Sequence, residues 1–181
     1  MIRFLIIIII STSNLYSKNS YAIEIKNLFV DEKYVPAFDV FTMHSTDSEK
    51  LGYFSWVFAN EVWAEAYGGL TYMPTSYFQI GLGIGIEKAD NPLRIGSMIW
   101  VGKQNWSVLT LLENGGSGYW HQINAIYRFN KNIGIGFMKE EFTGFGPRLE
   151  FSFSNLPVQV WTSFLQLDGN LNTYFTIKFL L

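Results

Sequence analysis

His44 and His121 are the only imidazoles in a 181-residue chain that contains no cysteine, so nucleophilic and acid–base chemistry has few places to sit. Without cysteine there is no thiol nucleophile, thiolate metal site or disulfide. A lipid-cleaving or acyl-transferring site would need a serine, His121 and a carboxylate such as Glu113 within hydrogen-bond reach of one another. At period two His121 shares its face with Tyr119 and Ile123, so an interfacial structural role competes with catalysis for that residue. No spacing fits a metal site, and no cofactor is implied. Gly81, Gly83 and Gly85 stand in Gly-Leu-Gly-Ile-Gly-Ile, which lacks the helix start of a phosphate-binding loop. Their alternation suits close approach by bulky neighbours instead. Asn114 to Gly118 is a flexible turn.

A second constellation is polar and of mixed sign: Glu65, Gln79, Arg94, Gln122, Asn124, Arg128, Arg148, Glu150, Gln159 and Lys178. If these share an enclosed interior, burial of each ion has to be offset by a partner of opposite sign. One outcome is an internal salt-bridge and hydrogen-bond network in which Glu65 and Glu150 pair Arg94, Arg128, Arg148 or Lys178. Another is a lumen of both signs that passes small polar solutes. Trp63, Trp100, Trp120 and Trp161 on the same faces favour a narrow or plugged interior.

The elements that would position these residues are strands. At period two the chain divides into Leu51–Ala59, Glu61–Tyr72, Tyr77–Glu87, Leu93–Gly102, Asn105–Glu113, Tyr119–Phe129, Ile133–Glu140, Arg148–Ser154, Val158–Leu167 and Leu171–Leu181. Turn residues such as Met73-Pro74-Thr75-Ser76, Asp90-Asn91-Pro92 and Asp168-Gly169-Asn170 separate them. Connections this short join antiparallel neighbours, which predicts an all-β, up-and-down meander barrel of about ten strands. Ala37–His44 and Ile23–Val30 also alternate, so twelve strands are possible. Residues 51–181 are the expected barrel, and 23–50 an amino-terminal segment with possible extra strands. Charged residues make up 15% of the chain and aromatics 18%, a composition suited to a surface covered by something other than water. A net charge of -2 with no basic run excludes a nucleic-acid role. Tyr53, Tyr72, Tyr77, Trp106, Tyr119, Tyr127, Phe129 and Tyr174 lie near strand ends as candidate interfacial girdles.

At the carboxy terminus Phe175, Ile177, Phe179 and Leu181 share one strand face. At the other end Arg3, the apolar run Phe4–Ile10 and Ser20-Tyr21-Ala22 compose a signal peptide over 1–22, with cleavage expected before Ile23. Together with the strand repeat, these features resemble small bacterial outer-membrane β-barrel proteins, whose last strand usually ends on Phe where this one ends on Leu181. The resemblance implies export to the outer membrane, contact with its lipid, and recognition of the last strand by the barrel-assembly machinery. It also implies a structural or narrow porin-like passive-transport role for small polar solutes. A lipid-modifying barrel enzyme of acyltransferase or deacylase type is the alternative on the same fold. A soluble periplasmic barrel with an apolar ligand inside has the same strand period and inverted faces.

Overall fold

The computed structural model describes residues 19–31, 33–46 and 50–181. Twelve strands form: β1 Asn19–Val30, β2 Lys33–Ser45, β3 Leu51–Asn60, β4 Ala64–Thr75, β5 Phe78–Glu87, β6 Leu93–Lys103, β7 Trp106–Gly115, β8 Gly118–Arg128, β9 Ile133–Glu140, β10 Gly144–Ser152, β11 Val158–Leu167 and β12 Asn170–Leu180. Each pairs antiparallel with its sequence neighbours, and β1 pairs with β12 from Ala22↔Leu180 to Phe29↔Thr173, so the sheet is a closed barrel. Both ends of the chain's barrel lie at one rim, where the Leu181 amide donates to the Tyr21 carbonyl at 2.9 Å.

Twelve strands rather than ten follow from β1 and β2. Lumenal Glu24, Lys26 and Asp39 interrupt their apolar pattern, and Pro36 stands exposed on the outer face of β2. β4 runs past the expected stop at Met73-Pro74, because an irregularity between Tyr72 and Thr75 accommodates the proline and moves the turn to Ser76 and Tyr77. β10 begins at Gly144, four residues before the expected Arg148, which shortens the preceding connection to residues 141–143. Most of the expected signal peptide, residues 1–18, lies outside the described residues, whereas Asn19–Ala22 belong to β1.

The two faces of the wall have opposite chemistry. Ile80, Leu82, Ile84 and Ile86 of β5 point outward and are exposed, Leu82 at 66%, while Gln79 and Glu87 of the same strand are buried inside. Neighbouring strands repeat this, with Leu70 at 72% and Ile95 at 59% exposure outside and Arg94 at 3% inside. Exposed Tyr53, Tyr72, Tyr77, Trp106, Tyr127 and Phe129 gather at the rim bearing the termini, and Tyr119 at the opposite rim. Tyr174 is a correction to the expected girdle: it points inward at 3% exposure and stacks on Trp161 at 5.8 Å.

The interior is packed on one side. Leu28, Ala37, Met138, Trp161, Leu165 and Tyr174 form a buried cluster contributed by β1, β2, β9, β11 and β12. Small residues let these strands draw together; a Cβ built on Gly146 would stand 1.8 Å from the Phe164 carbonyl oxygen. Gly146→Ala should therefore lower barrel stability by about 1–3 kcal/mol. Urea unfolding in lipid vesicles measures this, and an unchanged midpoint contradicts the packing described.

Candidate functional site: a partly filled lumen

At the rim opposite the termini, Arg94 of β6 sits among three carboxylates. Its Nε lies 3.0 Å from Glu113 Oε2 and 3.6 Å from Glu65 Oε2, and its Nη1 lies 2.5 Å from Glu87 Oε2. Nη1 also donates to Ser117 Oγ at 2.6 Å, and the Ser117 amide donates to Glu87 Oε1 at 2.8 Å. Tyr67 donates to Glu113 Oε2 at 2.9 Å. Its ring can lie against the wall because Gly85 and Gly96 carry no side chain; a Cβ on Gly96 would meet the ring at 2.9 Å. Alternation on four adjacent strands and short connections bring these groups to one corner.

A second cluster centres on Arg148 of β10. Its guanidinium forks onto Glu150 Oε1, with Nε at 3.2 Å and Nη2 at 2.9 Å, and lies 3.8 Å from the centre of the Trp161 ring. Nη1 donates to Asn124 Oδ1 at 2.8 Å, and Asn124 Nδ2 donates to Gln122 Oε1 at 2.8 Å. Arg128 Nη2 reaches Glu150 Oε2 at 3.0 Å, and Gln159 Nε2 donates to Ser152 Oγ at 3.1 Å. A third cluster joins Lys26 to Asp39 at 2.7 Å and Lys178 to Glu24 at 3.0 Å. Glu140 accepts from the Tyr174 hydroxyl nearby.

Between these clusters a cavity of about 840 Å³ remains. Ser117, Tyr119 and Phe142 line it at one rim and Met73, Ser76 and Gln79 toward the other. Lys26, Arg94, Arg128, Arg148 and Lys178 face Glu24, Asp39, Glu65, Glu113, Glu140 and Glu150 across it, with Glu87 behind Arg94. The lumen thus has a formal excess of two negative charges among the described residues, and each cation contacts a carboxylate.

No protein-family model matches the chain, and no curated protein matches it. Solved structures do. A KdgM porin superposes with a TM-score of 0.62 at 16% identity, covering 87% of this chain and 98% of that one. A KdgM porin in complex with disordered oligogalacturonate gives 0.58 at 16% identity, covering 88% and 98%. A third structure, from work on in-meso crystallization of membrane proteins, gives 0.62 at 12% identity, covering 90% and 83%. The chain has the porin fold. At these identities the likeness carries the architecture alone, and the lumen has to be understood from its own residues.

All ten residues of the expected polar set point inward in this porin fold. Arg94 and Glu65 meet at one corner, and Arg128, Arg148, Glu150, Asn124, Gln122 and Gln159 at another. Lys178 pairs Glu24 rather than Glu65 or Glu150, and Gln79 stands apart, 3.1 Å from Met43 Sδ. Glu24, Lys26, Asp39, Glu87, Glu113 and Tyr67 complete the clusters. Alternation within β1, β2, β4, β5 and β7 was the signal for them. The constellation of His121 with Glu113 does not form. Glu113 is opposite Trp120 on the inner face and His121 opposite Leu112 on the outer, a direct result of the two-residue period. His121 Nδ1 lies 2.6 Å from Glu141 Oε2 instead, and its ring stacks on Tyr119 at 5.6 Å.

Arg94→Met removes the cation among three buried carboxylates and should cost about 3–5 kcal/mol, measured as a lowered urea midpoint. His121→Ala should leave the lipid profile of the host outer membrane unchanged by mass spectrometry, and an altered acyl composition would revive a catalytic role for it.

Proposed function

We propose that the protein is exported to the bacterial outer membrane, where it acts as a narrow passive channel for small polar solutes. The observation that carries this is the inverted polarity of the wall: aliphatic and aromatic side chains cover the outside, while ionised groups and a cavity reaching toward both rims occupy the inside. A soluble barrel holding an apolar ligand needs the opposite arrangement. Lipid contacts the outer belt, and Phe175, Ile177 and Phe179 on the outer face of β12, followed by Leu181, present the segment that the assembly machinery reads. The signal peptide over 1–22 supplies export; cleavage before Ile23 trims the first residues of β1.

One of the similar porins is described in complex with oligogalacturonate, a polyanion. The lumen here offers such a chain no free cationic track, because Arg94, Arg128, Arg148, Lys26 and Lys178 are already engaged by carboxylates. Excess negative charge further disfavours polyanions, so neutral or weakly cationic solutes are the better match.

Expressed with its full amino terminus, the protein should fractionate with outer membranes and shift its gel mobility between unheated and boiled samples. In planar bilayers it should give small, weakly cation-selective currents. Recovery in the osmotic-shock fluid would exclude the membrane reading, and folded barrels without current would exclude the channel.

A further inference from the structure

β3 and β8 are separated around the wall by β4 to β7, yet their side chains touch. The Trp56 and Trp120 ring centres lie 6.4 Å apart with planes 30° from parallel, and Trp56 also stacks on Tyr67 at 5.5 Å and 19°. An aromatic bridge therefore crosses the lumen from one wall to the other. All three rings line the cavity. Tyr67 is fixed at the end of this bridge by its hydroxyl, which is held by Glu113 in the Arg94 corner. Aromatic faces continue along the path, with Phe41 and Phe54 stacked at 6.4 Å and Trp100 toward the rim bearing the termini.

We infer that the Trp56–Trp120 bridge is the constriction that selects the solute, and that it favours uncharged sugars, whose flat C–H faces lie on the indole rings while their hydroxyls meet lumenal amides. This rests on the channel reading above and adds the solute class to it. Indole faces offer strongly hydrated ions no apolar contact to gain, so ions pass without lodging there, whereas pyranose rings have one apolar face and a polar edge and are held. Polar groups stand beside the bridge: Gln122 and Asn124 follow Trp120 on the inner face of β8. Polyanions are disfavoured by the carboxylates at Arg94, close to the Tyr67 end of the bridge.

The test uses the full chain in planar bilayers with two probes, a neutral linear glucose oligosaccharide and an oligogalacturonate of the same length. The neutral sugar should block the wild-type current, and the oligogalacturonate should not. Trp120→Ala should raise conductance about twofold and weaken the sugar block about tenfold, a change corresponding to about 1.4 kcal/mol. Trp120→Phe should retain part of the block, and Trp106→Ala, on the outer surface, should change neither quantity. A neutral sugar without effect on a conducting wild type overturns the inference. So does a block that survives in the Trp56→Ala, Trp120→Ala double variant, or a stronger block by oligogalacturonate; all three leave the channel reading in place. Heat-modifiable barrels that pass no current in wild-type and double-variant form overturn the channel reading, and the inference with it.

Discussion

Closure of β1 on β12 is the constraint from which the rest of the architecture follows. A sheet with an open edge leaves a row of backbone donors and acceptors unpaired, which water can satisfy and hydrocarbon cannot. Here every strand has two hydrogen-bonded neighbours. Once the sheet is closed, each strand residue has only two possible environments, and alternation assigns it to one of them. This is why Glu113 and His121, close in sequence and on neighbouring strands, end up on opposite sides of the wall.

The interior then has to be filled, and the fill is uneven. The side formed by β9 to β12 with β1 and β2 is closed by Met138, Leu165, Trp161 and Tyr174, with Ser163 and Thr176 wholly buried among them. The cavity lies between this packed side and β3 to β8, with Lys26, Arg148, Trp161 and Lys178 lining it from the packed side. Ionic clusters occupy the boundary of both, and their pairing answers the cost of burying charge rather than adding large net stability. Three clusters on separate strand groups tie distant parts of the wall together: Arg94 links β4 to β7, Arg148 and Arg128 link β8 to β10, and Lys178 links β12 to β1.

Much of this was legible in the chain because a barrel strand writes its two environments at period two. β5 shows this best, with Ile80, Leu82, Ile84 and Ile86 against Gln79, three glycines and Glu87, and it forms within a residue of where the pattern puts it. Legibility failed where one residue answered to a neighbour rather than to its own strand. Pro74 reads as a turn, and only pairing with β5 across an irregularity keeps it in β4. Tyr174 reads as an interfacial aromatic, because alternation does not say whether an inward tyrosine will find Glu140. The Arg94 corner needed four strands at once, and no local pattern joins Glu65, Glu87 and Glu113.

The cavity owes its position to what is missing from the wall as much as to what fills it. Gly81, Gly83, Gly85 and Gly96 remove side chains from the inner faces of β5 and β6. Phe54 and Tyr67 settle into that space: a Cβ on Gly83 would stand 2.8 Å from the Phe54 ring, and one on Gly85 would stand 2.8 Å from Tyr67. Laid against the wall, these rings leave the centre free, whereas the same rings held upright by larger neighbours would fill it. Trp56 and Trp120 meet across the lumen instead. The glycines thus set where the lumen is open, and the tryptophans bridge it, two roles that neither charge nor hydropathy reveals.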